Sequence, residues 1–406
     1  MLIVGAGHAG AHAAIKLREL NYAGSIGLLS DEAAHPYERP PLTKGFFNGK
    51  VTLGDLLIRP EPYWAENGIE VLLEHRVTAL DPAAHVVTTS RGTHITYGHL
   101  VWAAGAAPIK VPIPGADLPG VHFLRSLADA QRFGPELRPG ARIVVIGGGY
   151  IGLEVASSCV TAGASAAVLE SRSRLLSRVT GTELSERLLR LHRDRGVQVE
   201  LDAQVVEVLE RDGRASGVLL ADGRTIDADS VLMAVGVAPN TAVLAAAGAE
   251  CSNGVDIDAH CRTSLADVYA VGDCANFPYQ GVRTRLESVQ NAAAQGAHVA
   301  ALLAGDTSAY SLEPYFWSDQ FDARIKTVGL VRDYDDQVVR CGRDEGSFSV
   351  VYLKDGRVQA VDTVNAMKDY VDARKLLGHK VSPELIRDSS IRLREALLGR
   401  EYTDAL

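Results

Sequence analysis

Cysteine is scarce in this 406-residue chain and poorly spaced for cross-linking. Five occur, at 159, 251, 261, 274 and 341, with no CxxC pair. An odd, scattered set argues against a disulfide framework and points to a reducing cytoplasm. A basic excess is also missing, since 41 Lys and Arg face 50 Asp and Glu for a net charge of −9. Sequence-independent nucleic-acid binding needs the opposite balance. The twelve histidines show no HxH or HExxH spacing, so no metal site is expected. No charged start, apolar stretch and cleavage site opens the chain, so no signal peptide is expected. Two uncharged stretches, Ser230 to Ala249 and Ser288 to Gly305, carry glycine, proline or amide residues that a membrane span of about 20 apolar residues would not. They read as buried strand, turn and helix.

What is present is a duplicated pattern. The strand Leu2-Ile3-Val4 runs into Gly5-Ala6-Gly7-His8-Ala9-Gly10, and Ala9, Ala13, Leu17 and Leu20 then recur at helical spacing. A strand at Ile26–Leu29 ends at Ser30-Asp31. The same order returns: a β-branched run from Arg142 to Ile146, then Gly147-Gly148-Gly149-Tyr150-Ile151-Gly152, a helix from Leu153, and a strand from Ala166 to Leu169 ending at Glu170. One such fingerprint is weak evidence; two in matching context are not coincidence. The first glycine makes the tight turn, the second admits a pyrophosphate, and the third lets helix and strand touch. The helix N-terminus then faces the negative charge. Asp31 and Glu170 stand where an acid accepts from a ribose hydroxyl.

Small-residue crossings, Val101 to Pro108 and Val231 to Asn240, read as the hinges of an inserted domain. The expected fold class is α/β, with two Rossmann-like dinucleotide-binding domains of the glutathione-reductase kind plus a C-terminal α+β domain. The expected boundaries are 1–108 with 236–312, then 109–235, then 313–406.

The segments Pro36 to Lys44, Ile146 to Ala156, Glu287 to Ala292, Trp317 to Gln320 and Ala360 to Asn365 carry a resemblance to a known family. The chain resembles the FAD-dependent ferredoxin reductases of the putidaredoxin reductase kind, within the two-dinucleotide-binding flavoproteins. The resemblance implies FAD at the first turn and NADH at the second. It implies electrons passed singly to a 2Fe-2S ferredoxin that feeds a haem-thiolate monooxygenase or a Rieske dioxygenase. Another acceptor (rubredoxin, a quinone, monodehydroascorbate or oxygen) is the alternative within enzymes. A redox-signalling protein of the apoptosis-inducing-factor kind is the alternative outside them, and the acidic balance argues against it.

On the same grounds, FAD contacts are expected from Gly5, Gly7, Ala9, Gly10, Asp31, Arg39, Lys44, Val77, Ala104, Gly105, Arg125, Asp273, Val289 and Trp317. Val77 and Val289 read equally well as core, and Trp317 as a core tryptophan. NADH contacts are expected from Gly147, Gly149, Tyr150, Ile151, Gly152, Glu154, Glu170, Arg178 and Gly236. Lys44 and Glu154 are the expected charged pair at the reacting end of the flavin. Glu170 favours NADH, because a carboxylate repels a 2′-phosphate; Arg172, Arg174 and Arg178 nearby leave NADPH open. Arg283, Arg285, Arg324 and Lys326 are candidates for a basic ferredoxin patch. Disulfide reductases of this superfamily carry cysteine just after the first helix, where this chain has Leu42, Thr43 and Lys44.

Overall fold

The computed structural model describes every residue except Asn48, Arg343, Glu345 and 399–406. The chain divides into two compact units. Unit 1 comprises 1–109, 124–131 and 236–312; unit 2 comprises 110–123, 132–235 and 313–406.

Unit 1 is built on a parallel five-stranded sheet. Its order is Val268–Ala270, Leu100–Trp102, Leu2–Val4, Ile26–Leu29, Ile69–Leu72. These strands are short apolar runs, as expected where helices or loops cover both faces. The helix His8–Glu19 packs along the helix Val289–Leu303. That crossing depends on small residues: a Cβ on Gly296 would lie 2.1 Å from the Ala9 carbonyl oxygen. An antiparallel ribbon, Ala106–Pro108 with Val237–Pro239, and a meander over 77–96 complete the unit.

Unit 2 repeats the arrangement. Its parallel sheet runs Gln198–Glu200, Ser165–Leu169, Arg142–Ile146, Ser230–Met233, Val121–His122. In both sheets the strand before the glycine turn lies between the strand after the helix and a later strand. Val144, Ile146, Leu169, Val218, Val231 and Met233 form the apolar core over this sheet. The stretch Ser230 to Ala249 is strand, ribbon and short helix, and Ser288 to Gly305 is mostly one helix. No described helix is long and apolar enough to cross a membrane.

The 313–406 segment adds an antiparallel five-stranded sheet, ordered Tyr315–Gln320, Ala323–Gly329, Arg357–Val364, Phe348–Lys354, Asp336–Cys341. Its own core gathers Val328, Val351, Val361, Leu376, Ile386 and Leu393. Arg340, 4% exposed, staples the final segment to this sheet. Its guanidinium donates to Asp369 and to the carbonyls of Ile386, Asp388 and Ile391. Removing it leaves the three carbonyls without this donor and Asp369 with only the Ser349 hydroxyl. Arg340→Met is expected to destabilise the protein by about 3 kcal/mol, read as a lower denaturant midpoint.

Tyr315–Gln320 packs on the helix Tyr150–Thr161. There His192, fully buried, shares a 3.0 Å hydrogen bond with Gln320. Burial holds its imidazole below the ordinary value, and the bond to Gln320 offsets only part of that. The unfolded chain therefore takes up a proton near pH 6.5 that the fold refuses. Stability is complete above that pH and is lost as the pH falls below it. Unfolding midpoints measured from pH 7.5 to 5 should decline, and less steeply in His192→Gln.

Candidate functional site

The two glycine turns share one geometry. Gly5 and Gly147 take φ of +106° and +113°, which L side chains rarely adopt. Each donates its N–H, at 2.8 Å, to the last residue of the neighbouring strand, Leu29 or Leu169. A Cβ on Gly10 would lie 2.0 Å from the Gly5 oxygen, and one on Gly152 would lie 2.1 Å from the Gly147 oxygen. Any side chain there would push the helix off its strand.

The middle glycines differ. Gly7 and Gly149 have ordinary extended φ of −76° and −82°. A Cβ on Gly149 would meet nothing within 4 Å, and one on Gly7 only the tip of Arg39 at 3.8 Å. Neither backbone strain nor protein packing requires glycine at these positions. The bare backbone instead leaves room for something to approach it. Neither helix N-terminus has a side-chain cap or an acid in its first turn, so its N–H groups and positive dipole end are left for an anion. Both turns fit the pyrophosphate of a dinucleotide.

Around the first turn, unit 1 assembles a charged cluster. Arg125 pairs with Asp273 at 2.9 Å. Asp273 follows Gly272, whose N–H donates to the buried Gln295. Arg39 donates to Glu32 at 2.7 Å and to the Arg125 carbonyl at 2.7 Å. Tyr37 donates to Glu32 and accepts from Leu127 N–H. Glu32 and Tyr37 were not singled out from the sequence; their signal was their place beside Asp31 and Arg39. Asp31 itself is exposed just past the strand Ile26–Leu29. Gly105 lies against Arg125, and Asn240 holds Ala104 and Gly105 by donating to both carbonyls. Ala9 is buried, as is Val77 at the start of a strand, and Val289 opens its helix behind the capping Ser288. Lys44 closes the Pro40–Thr43 turn, its ammonium 3.4 Å from the Thr43 hydroxyl. Gly236 also belongs to unit 1, where it accepts from Ile109 N–H.

In unit 2 the Glu170 carboxylate is fixed at the tip of its strand. One oxygen accepts from Gly148 N–H at 2.8 Å and the other from Arg172 N–H at 2.9 Å. Its remaining lone pairs can accept from a vicinal pair of ribose hydroxyls. Arg174 does not join a phosphate site: its guanidinium donates to the Thr180 and Ser177 carbonyls of its own loop. Arg172 and Arg178 are exposed. Tyr150 and Ile151 open the helix, Ile151 at the surface. Glu154 is 6% exposed and accepts from the Ser318 hydroxyl at 2.6 Å. Trp317, expected with the FAD group, lies in unit 2 stacked on Tyr315 at 5.6 Å.

The four basic candidates for a docking patch separate by environment. Arg283 donates to the Ile257 and Asn276 carbonyls, and Arg285 pairs with Glu287 at 2.9 Å. Those two charges serve unit 1 internally. Arg324 and Lys326 project from one strand of unit 2, with Lys326 over the Tyr370 ring.

Three of the five thiols are buried away from nucleophilic chemistry. Burial pushes the Cys274 and Cys159 thiols up to about 12, and Cys261 higher still. A nucleophile must be a thiolate, so these three act as small apolar residues. No group of described residues forms a metal site.

The open space at Gly149 generates a test. Gly149→Ala should fold normally, because the methyl meets no protein atom within 4 Å. The methyl would occupy the approach of a phosphate at a cost of about 1–3 kcal/mol, roughly tenfold to a hundredfold in nucleotide affinity. Titration of NAD+ against the variant's flavin spectrum measures it.

Residues 1–296 match the pyridine nucleotide-disulphide oxidoreductase family, and residues 315–397 match the reductase C-terminal family. The chain is 45% identical to the 5,5′-dehydrodivanillate O-demethylase ferredoxin reductase subunit of a Sphingobium species, over 97% of each chain. It is 37% identical to putidaredoxin reductase of Pseudomonas putida, over 98% of this chain and 96% of the other. It superimposes with a TM-score of 0.94, at 36% identity and over 97% of each chain, on the crystal structure of the covalent putidaredoxin reductase–putidaredoxin complex. The protein is an FAD- and pyridine-nucleotide-dependent oxidoreductase, and it belongs to the ferredoxin reductases of the putidaredoxin reductase kind.

Proposed function

We propose that this protein takes electrons from NADH and delivers them singly to a small 2Fe-2S ferredoxin, which in turn supplies a haem-thiolate monooxygenase or a Rieske dioxygenase. The observation that carries the reading is two fully built dinucleotide turns in a chain whose buried thiols stay protonated. Electrons must then leave without a dithiol relay. The likeness to a ferredoxin reductase subunit and to a reductase solved with putidaredoxin supports the choice of acceptor. Bound FAD supplies hydride acceptance and one-electron release.

The residues then take named parts. Gly5, Gly7 and Gly10 hold the FAD pyrophosphate at the first turn. Arg125 and Asp273 keep each other charged and ordered beside it. Lys44 and Glu154 are the proposed charged residues of the reacting end. Trp317 shields the path by which electrons leave. Gly147, Gly149 and Gly152 hold the NADH pyrophosphate. Glu170 selects NADH, because its clamped carboxylate accepts from a 2′-hydroxyl and repels a 2′-phosphate. With Arg174 turned to its own loop, one of the three arginines that could have favoured NADPH is removed.

Anaerobic stopped-flow reduction by NADH and by NADPH, followed by mixing with an oxidised 2Fe-2S ferredoxin or with rubredoxin, tests the proposal. Fast bleaching with NADH and rapid ferredoxin reduction are expected. Reduction of rubredoxin alone would move the acceptor assignment. Glu170→Gln should lower the preference for NADH by about tenfold, the worth of one hydrogen bond to a charged group.

A further inference from the structure

The segment Ala360 to Asn365 is among the most distinctive in the chain, yet none of the roles above uses it. At its centre Asp362 is fully buried on an inner strand of the C-terminal sheet. It has no cationic partner within ion-pair distance among the described residues. Instead it collects three hydroxyl donors. Thr327 donates to one carboxylate oxygen at 2.5 Å. Tyr352 donates to the other at 2.8 Å, and Thr180 donates to that same oxygen. Burying a carboxylate this way is costly, and a sheet that needed only adhesion would use apolar residues. Burial does push the Asp362 carboxyl up, against the opposing pull of the three hydroxyls.

The partners of Asp362 show what it holds. Thr180 ends the loop that starts at Glu170. The loop rests on the glycine turn, because Leu176 N–H donates to the Gly148 carbonyl at 3.0 Å. Leu176 takes a left-handed φ of +51° to do so. Arg174 ties the loop to itself at Ser177 and Thr180. Tyr352 reaches the same end of the loop, accepting from Gly181 N–H, and its ring would lie 2.5 Å from a Cβ at Gly181. The loop's end is therefore gripped at Thr180 and Gly181 by two side chains of the C-terminal sheet.

Thr327 holds the other carboxylate oxygen from the paired neighbouring strand. The Tyr150 hydroxyl is buried, and burial first, then the charges of Asp362 and Glu154, raise it above its ordinary value. Tyr150 is the first residue of the helix that follows the glycine turn. One carboxylate thus reaches the loop carrying Arg172 and Arg178 through Thr180, and its charge is felt by the Tyr150 hydroxyl at the start of the helix.

We propose that Asp362 is a positioning residue for the nicotinamide dinucleotide site, holding the 171–180 loop in binding register through Thr180 and Tyr352. The proposal rests on the NADH reading of the second turn. It makes the C-terminal sheet part of the nucleotide site through the loop that Thr180 ends.

The test separates positioning from plain stability. Thr180→Val keeps the shape and deletes the hydroxyl, Thr180→Ser keeps the hydroxyl, and Asp362→Asn removes the charge. Arg340→Met weakens the same sheet through partners that exclude Thr180, Tyr352 and Asp362, and serves as the control. Steady-state reduction of ferricyanide by the FAD-loaded proteins gives KM for NADH and kcat without a ferredoxin, and thermal midpoints are taken in parallel. Thr180→Val and Asp362→Asn should raise KM about tenfold with kcat within about twofold, the pattern of lost ground-state binding. Thr180→Ser should stay near wild type, and Arg340→Met should lose stability with KM unchanged. An unchanged KM in Thr180→Val overturns the proposal, as does an equal rise in Arg340→Met. Should Asp362→Asn fail to fold, the Val and Ser pair at 180 decides alone. Wild-type controls keep the two readings apart. A wild type that uses NADPH and not NADH refutes the NADH reading, and the same variant series read with NADPH still decides the positioning. A wild type reduced by neither refutes both.

Discussion

Everything in this protein depends on how closely two helices approach the strands that precede them. With a Cβ at Gly10 or Gly152 the contact distance to the turn's own carbonyl would be 2.0 or 2.1 Å. Only hydrogen fits. That contact sets each helix axis so that its uncapped N-terminus looks along the open backbone of Gly7 or Gly149. The sheet order, the helix pair and the charged residues around each turn all build outward from it. In unit 1 the same demand for small residues continues into the crossing at Ala9 and Gly296.

From one shared backbone the two units develop different electrostatics. At the second turn a carboxylate, Glu170, closes directly on the loop through Gly148 N–H. At the first turn the acids face arginines instead, Glu32 to Arg39 and Asp273 to Arg125. One turn presents a clamped carboxylate, and the other a pair of arginines each held by an acid. The same frame thus carries different charges in its two copies.

Much of this was legible in the sequence, because it is local. The strands Ile26–Leu29 and Arg142–Ile146 appear with the bounds their apolar runs suggest, and the glycine spacing reads directly as a turn. The engagement of Arg174 and Arg283 was not legible. Both are basic residues in polar stretches, and only the folded path of the backbone brings carbonyls within their reach. The Asp362 cluster was hidden for the same reason. Thr180 and Asp362 are 182 residues apart, and no pattern of spacing announces a contact of that range. The segment around Asp362 stood out by its resemblance alone, with no chemistry attached.

The ribbon of Ala106–Pro108 with Val237–Pro239 carries a different kind of consequence. The chain leaves unit 1 after Ile109, touches back into it at Leu124–Gln131 and resumes it at Gly236, and Ile109 and Gly236 share a 3.0 Å backbone hydrogen bond. The two ends of the interposed stretch are clasped side by side. To unit 1, that stretch is a long loop closed by the clasp and tied down once more where Arg125 and Leu127 bond back to Arg39, Asp273 and Tyr37, and loop-closure entropy grows only slowly with length. A scaffold with such a clasp can exchange what lies beyond Gln131 while keeping its own contacts. The first dinucleotide frame is in this sense a socket, and its exit and entry strands are the pins.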